Sequence, residues 1–450
     1  MTGAGDPRAV AVAAARAAAQ RRSAVPPVSG GAQEHQVVRF EDLQEHRDLV
    51  RMRQAGAVIG VNNPFFRRHD GHAMATTAIA GREVVNFASY DYLGLNADSR
   101  VSDAAKSAID RYGVSPSGSR LVAGSRDVHD ALEEALAGHY GVAAAMVFVS
   151  GHSTNVSTIG HLMGEGDLIL HDALCHDSIQ VGMRLSGAAR RSFSHNDIAA
   201  LASLLEENRP KFRRALIVTE GLFSMDGDLP PLGEIIELKR RHGCWLMVDE
   251  AHALGPVGAC GKGSFEALGI DPGDVDIWMG TLSKTLAATG GYIAGSTALI
   301  DVLKGHASGF VYSVALAPAL AAASLTALDI MTREPERVAR LQENAALFLA
   351  ACTEEGLETG NAGPYGIVPV LVGDTLLAAK LSERLLARGI NVIPVMFPAV
   401  PMKAARLRFF LSALHDPAQI QAAVRATAEE LELLRSEGFG TAIPQALLVP

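Results

Sequence analysis

The stretch Trp245-Leu-Met-Val-Asp-Glu-Ala-His252 decides the fold. Its first four residues are apolar and partly β-branched, which reads as a buried strand, and two acids and a histidine stand at the strand's carboxyl end. In an open α/β sheet, ligands collect at that end. A carboxylate buried there needs a cationic partner, because an unpaired buried charge is costly. The next strand reading, Val275-Asp-Ile-Trp-Met-Gly280, runs directly into Thr281-Leu-Ser-Lys284, which places Lys284 284 − 249 = 35 residues after Asp249.

A strand ending in Asp-x-x-His, followed by a strand ending in Thr-x-x-Lys, is how a pyridoxal 5′-phosphate (PLP) site is assembled. The lysine bonds the cofactor covalently and the aspartate pairs with its protonated pyridine nitrogen. Outward from this core, Val147-Phe-Val-Ser-Gly-His-Ser-Thr-Asn155 reads as a strand running into a helix start, which presents free N–H groups and a positive dipole end to a phosphate. Ala215-Leu-Ile-Val-Thr-Glu-Gly-Leu-Phe-Ser-Met-Asp-Gly-Asp228 is another buried strand and loop, followed by an amphipathic helix over 232–243. Leu168–Ser178 carries His171 and His176, and Ala405-Arg-Leu-Arg-Phe-Phe-Leu-Ser-Ala-Leu-His415 alternates apolar and basic positions. Ser115–Gly124 is a Gly/Ser loop before a helix, Val84–Leu95 opens as a short strand, and Thr289–Gly295 is glycine-rich, so backbone can approach a bulky ring closely.

In this order the motifs resemble those of the α-oxoamine synthases over roughly residues 60–430. The resemblance implies the PLP-dependent transferase fold type I: an α/β chain with a large, mostly parallel-sheet lobe and a smaller α+β carboxyl-terminal lobe. It implies PLP held by Lys284, with Asp249 on the pyridine nitrogen, His252 near the ring oxygen and His176 stacked on the ring. Ser150, Gly151, His152 and Thr281 match the phosphate end, Ser224 approaches the ring, and Ser313 reaches the phosphate of the other subunit's cofactor. His152 stands where an aromatic residue is usual, and Val314 where a threonine is. Of the two arginines in Arg-Leu-Arg, Arg408 matches the one that binds the amino acid carboxylate through its planar fork. Tyr90 lies in the segment that supplies a polar group near that carboxylate.

The resemblance also implies that the loop bearing Ser119 and Leu121 lines the acyl entrance. Leu121 is apolar where members that take a succinyl group carry a polar residue, so an apolar acyl group is expected. The activity implied is decarboxylative condensation of a small α-amino acid with an acyl thioester, giving an α-aminoketone. A homodimer follows because the family builds each site from two chains. An aminotransferase would keep Lys284 and Asp249 without needing the combined His176, Ser224-Met-Asp-Gly and Arg-Leu-Arg pattern. A non-catalytic subunit characteristically lacks the lysine.

The bulk properties agree. A chain of 450 residues implies two or three lobes, and 48% hydrophobic with 20% charged residues implies a substantial core. A net charge of −9 offers no footprint for nucleic acid or anionic membrane. Cys175, Cys244, Cys260 and Cys352 lack metal-ligand spacing, so no metal site is expected and the thiols read as reduced and mostly buried. Ala315–Leu328 is too short to span a membrane, and the amino terminus lacks the basic start and apolar block of a secretory signal, so the cytoplasm is the default. Residues 1–35 read as a flexible extension, which keeps an acyl carrier protein open beside coenzyme A as acyl donor. The segments expected after it are an N-terminal segment over 36–85, with a helix from Phe40 to Ala55, and a large PLP-binding domain over 86–320. A long helix over Pro318–Glu354 and a small domain complete residues 321–450.

Overall fold

Seven strands form the central sheet: β1 (Ala144–Phe148), β2 (Asp167–Asp172), β3 (Ala189–Phe193), β4 (Arg214–Glu220), β5 (Trp245–Asp249), β6 (Ile277–Thr281) and β7 (Gly291–Gly295). This is a computed structural model that describes residues 39–439 apart from 59, 398 and 402; the extension expected over 1–35 lies outside the described residues. The strand order is β1-β7-β6-β5-β4-β2-β3. All neighbours are parallel except β7, which runs antiparallel to β6 and β1. Helices Gly151–Leu162, Asp177–Ser186, Ile198–Asn208 and Leu232–His242 connect β1 through β5.

The strand sequences explain why both sheet faces are covered. Ile217, Leu246, Val248 and Trp278 enter one apolar cluster, whereas Leu216, Val218, Met247 and Met279 enter another on the opposite face. Near-continuous apolar runs of this kind suit parallel strands buried on both sides. Each such side chain contributes about 1.5–3 kcal/mol by leaving water. Helix Leu232–His242 buries Leu232, Ile235, Ile236 and Leu238, carries Lys239, Arg240, Arg241 and His242 in its last turn, and stops at left-handed Gly243 (φ 59°).

Two segment readings need correction. The long helix expected over Pro318–Glu354 is two helices, Pro318–Arg333 and Glu336–Glu354. Pro335 has no N–H to continue the ladder and drives the preceding Glu334 out of helical geometry, to φ −121° and ψ 63°. The single strand expected over Ile390–Pro394 is also two. Ile390–Asn391 pairs in parallel with Val85 and Asn86, and Ile393–Val395 (β9) turns to a different sheet. In that sheet β10 (Ala405–Phe410) lies between β8 (Ile367–Gly373) and β9, all antiparallel. Strands Thr76–Ile79 and Arg82–Asn86 thus share a sheet with a carboxyl-terminal strand, which draws the end of the 36–85 segment into the small lobe.

The helix expected from Phe40 is a short turn, Phe40–Asp42, followed by helix Gln44–Val58. Arg47 pairs there with Asp42 at 3.1 Å. No described helix is long and apolar enough to cross a membrane.

Candidate active site

The register of β4 and β5 sets Glu220 directly beside Asp249 at the carboxyl edge of the sheet. Both side chains are buried. Asp249 Oδ1 accepts the Ala251 N–H at 2.9 Å and Oδ2 accepts from Asn155 Nδ2 at 2.8 Å. The same Asn155 amide donates to Ser178 Oγ at 2.9 Å, and Ser178 Oγ lies 2.8 Å from His176 Nδ1. His176 caps helix Asp177–Ser186, its Nδ1 also accepting the Ser178 N–H at 3.3 Å. A nitrogen that accepts from a backbone N–H carries no proton, so the ring is neutral with its hydrogen on Nε2; burial lowers its pKa in agreement. A continuous hydrogen-bond chain therefore runs from His176 to Asp249.

Glu220 Oε1 accepts the His176 N–H at 2.6 Å. Burial, and then the neighbouring charge of Asp249, push its carboxyl well above the ordinary range. Lys284 follows β6 by three residues, and its Nζ lies 5.8 Å from the centroid of the Tyr90 ring. Burial pulls this amine down to about 8, against the opposing pull of Asp249 and Glu220. His252 is buried and hydrogen-bonds through Nδ1 to Tyr92 Oη at 2.8 Å; burial depresses its pKa, so it too is neutral. Phe410 ties this side together, edge-on to Tyr90 at 4.7 Å, stacked on His252 at 6.3 Å and beneath the Arg408 guanidinium at 4.7 Å.

The two arginines of β10 differ in one respect that matters. Arg406 Nη1 pairs with Asp226 at 2.5 Å, whereas Arg408 has no carboxylate partner among the described residues. Arg408 Nη1 donates to the Ser224 carbonyl at 3.0 Å and lies 3.5 Å from Met225 Sδ, while its buried Nε has no partner. A desolvated guanidinium with a free edge is a carboxylate receptor.

Ser150 caps helix Gly151–Leu162, Oγ accepting the Ser153 N–H at 3.0 Å. The N–H groups of Gly151 and His152 at that helix start have no acceptor among the described residues. Gly151 abuts Thr281: a Cβ there would lie 2.8 Å from Thr281 Oγ1, which itself bonds Ser283 Oγ and the Gly290 carbonyl. Gly290, at φ 141°, would bring a Cβ within 2.7 Å of Leu282. A cleft of about 540 Å³ opens beside Lys284, lined by Asn86, Ala88, Ser89, Tyr90 and Leu320 among others.

PLP presents a cationic ring nitrogen, an aldehyde and a phosphate, and these residues fit each. Asp249 is a buried carboxylate whose partners among the described residues are the uncharged Asn155 amide and Ala251 N–H. Lys284 is a half-buried amine lining the cleft, and the Ser150–His152 helix start offers unbonded N–H donors.

The structure thus brings together Lys284, Asp249, His176, His252, Tyr90, Ser224 and Arg408, with Ser150, Gly151, His152 and Thr281 along the same strand ends. Among the described residues no hydrogen bond, ion pair or ring contact joins Ser119, Leu121 or Ser313 to Lys284, and none of the three lines the cleft beside it. The Ala315 N–H to Gly118 carbonyl bond, 3.0 Å, instead joins their two segments to each other. Around them Leu121 is 61%, Val122 84% and Tyr312 88% exposed. Sequence reasoning missed Asn155, Glu220, Tyr92 and Phe410. Glu220 carried a signal, an acid ending an apolar strand as Asp249 does; Asn155 carried none until the fold set it under β5.

Residues 82–426 match the aminotransferase class I and II family. The chain belongs to that family. It is 43% identical over 351 residues to the 8-amino-7-oxononanoate synthase of Symbiobacterium thermophilum, covering 78% of this chain and 89% of the relative. It is 46% identical over 350 residues to that of Methylorubrum populi, covering 78% and 86%. Among solved structures, the serine palmitoyltransferase of Sphingomonas wittichii superposes with a TM-score of 0.84 at 30% identity, covering 90% of this chain and all of that one. A lysine-to-alanine variant of the serine palmitoyltransferase from S. paucimobilis with a bound PLP–myriocin aldimine scores 0.84 at 29% identity, covering 89% and 100%. The chain is an α-oxoamine synthase of PLP-dependent fold type I. It uses PLP to condense an α-amino acid with an acyl thioester, with loss of carbon dioxide.

Proposed function

We propose that the amino acid is alanine and that the acyl group is a seven-carbon chain ending in a carboxyl function. The support is chemical. In 8-amino-7-oxononanoate, the product that names the relatives, the aminoethyl end is alanine without its carboxyl group. The remaining carbons come from such a chain.

When bound, PLP supplies an aldehyde carbon for the substrate amine and a cationic ring that takes up the electron pair left on the α-carbon. Asp249, fixed by Asn155 and the Ala251 N–H, holds the proton on the ring nitrogen. The Lys284 amine, once released from the cofactor, takes the α-proton at Nζ; its burial-lowered basicity suits transfer near neutral pH. His176, flat and neutral, packs over the ring, with its peptide held by Glu220 and its Nδ1 by Ser178. Arg408 grips the substrate carboxylate through its free edge, and Ser224 lines the ring beside it. The Ser150–His152 helix start and Thr281 hold the phosphate, and His252, oriented by Tyr92, faces the ring oxygen.

Ser119, Leu121 and Ser313 serve the site of a second subunit in a homodimer. The Gly118–Ala315 link between their segments, with Leu121 and Tyr312 exposed beside it, supports this. This departs from the wholly apolar acyl group expected from Leu121: the methylenes of the chain suit that residue, each gaining about 0.8 kcal/mol on burial, and the terminal carboxyl function does not. Coenzyme A or an acyl carrier protein bears the acyl group. A cytoplasmic setting fits the four unpaired thiols.

The observation that carries this reading is Arg408, a half-buried guanidinium with no carboxylate partner among the described residues, joined to Lys284 through the Phe410 and Tyr90 rings. The test offers alanine, glycine and serine with the seven-carbon and plain alkyl thioesters on both carriers, followed by mass spectrometry of products. The expected product joins alanine to the seven-carbon acyl group. Selective consumption of serine or glycine would overturn the substrate assignment.

A further inference from the structure

Behind the residues that face the cofactor site, His195 bridges two carboxylates. It stands just past β3, its Nδ1 at 3.0 and 3.1 Å from Asp172 Oδ1 and Oδ2 and its Nε2 at 2.9 Å from Asp228 Oδ2. Each ring nitrogen faces a carboxylate, so both must donate and the ring must be an imidazolium. Asn196, left-handed at φ 55°, closes the cluster: its N–H donates to Asp172 Oδ2 at 2.8 Å. Its amide lies 3.3 Å from Nε2 but donates to Asp228 Oδ2 at 3.1 Å and the Leu229 carbonyl at 3.1 Å. The Phe223 ring packs edge-on at 4.5 Å. The charged groups at this histidine are Asp172 from the end of β2 and Asp228 from the loop after β4; they raise its pKa to about 10 against the effect of burial.

The two acids lead to different parts of the site. Asp172 is fully buried, and its Oδ1 accepts the Leu174 N–H at 2.8 Å while its carbonyl accepts the Cys175 N–H at 3.2 Å. That turn delivers His176. Asp228 closes the loop from Phe223, with Phe223 N–H on the Asp228 carbonyl at 3.0 Å and Gly227 N–H on the Phe223 carbonyl at 2.8 Å. That loop carries Ser224, whose carbonyl fixes Arg408, and Asp226, which holds Arg406.

We propose that His195 is a positioning residue: its doubly bonded imidazolium cross-links the His176 turn to the Ser224 loop and so sets the distance between the ring-packing histidine and the carboxylate-binding arginine. A neutral side chain would take the one charged donor from Asp172 or Asp228, leaving it only the uncharged Asn196 and Leu174 donors, and let the two segments move apart. The roles of His176 and Arg408 rest on the reading above; the charge state of His195 does not, so one arm of the test is independent of it.

In that arm, ¹⁵N-detected imidazole NMR of the intact holoenzyme reads the protonation of His195 directly. Both nitrogens are expected to be protonated at pH 8, and a neutral ring there would overturn the proposal. In the second arm, His195→Gln, which keeps one donor, is expected to raise KM for the amino acid by about ten- to a hundredfold, the scale of one charge-assisted hydrogen bond. The fall in kcat should be smaller. Adding Asp228→Asn, which removes the stranded charge, is expected to restore most of the lost KM. A His195→Gln protein with a lowered Tm but unchanged KM and kcat would show a purely structural histidine and refute the positioning role. If the single variant does not fold, the double variant and the NMR measurement still decide.

Discussion

Replacing Arg408 by lysine keeps the positive charge and removes the planar fork. Neither Nε nor Nη2 of Arg408 has a hydrogen-bond partner among the described residues, while Nη1 is committed to the Ser224 carbonyl. The free Nε–Nη2 edge is the one that meets a carboxylate with two parallel bonds. A lysine at 408 supplies one such bond in place of two. The loss is one hydrogen bond to a charged group, about 1.5–3 kcal/mol, or about ten- to a hundredfold in affinity. Arg406→Lys is the internal control, because that guanidinium is already held by Asp226 and points its binding capacity there. Initial rates across an amino acid series at saturating acyl thioester should show KM raised by this factor in Arg408→Lys. Arg406→Lys should lower Tm and leave KM nearly unchanged. Equal KM in Arg408→Lys and wild type, or a larger KM effect from Arg406→Lys, would refute the assignment of the carboxylate site.

Asp249→Asn keeps the shape but loses the negative charge proposed to face the ring nitrogen; condensation should fall about a hundredfold while PLP still binds, and near-wild-type turnover would remove Asp249 from that role. The Lys284 amine, lowered to about 8 mainly by burial, is the free base above that pH. Cofactor loading into the apo-protein should accordingly quicken up to about pH 8 and then level off; a rate still climbing toward the ordinary lysine range would contradict the burial. Glu220 has a folded-state pKa raised by burial and by Asp249. Its proton stabilises the fold at low pH, and that contribution is lost as pH rises through the raised value. Glu220→Gln should therefore match wild type in urea unfolding at low pH and exceed it at alkaline pH; equal stability at both ends would show an unperturbed acid.

Much of this was legible in the chain because it rests on local pattern. Trp245–Asp249 and Ile277–Thr281 are apolar runs with chemistry at their ends, and Asp249 and Lys284 follow from them directly. The helix break at Glu334 was legible only through Pro335, because the apolar spacing continues on both sides of it. The division at Val392 was not legible: one apolar run serves two sheets, and the partners that divide it, Val85 and Leu407, are remote in sequence. Asn155, Glu220 and His195 escaped for a related reason. Each acts through a neighbour that only the fold supplies: Glu220 against Asp249 and Asp172 against Phe193, two residues before His195, by strand register, and Asn155 by packing of its helix against Asp249. Ser119, Leu121 and Ser313 carry readable motifs, but among the described residues none of them contacts Lys284 or lines its cleft.

The covalent attachment of PLP to Lys284 is the claim on which the rest depends. Borohydride reduction of the holoenzyme, followed by proteolysis and peptide mass mapping, locates that bond directly. The added mass should fall on the peptide containing Gly280-Thr-Leu-Ser-Lys284 and vanish, with turnover, in Lys284→Ala. A label on Lys304, Lys380 or any other lysine, or its persistence in Lys284→Ala, would contradict the site described here.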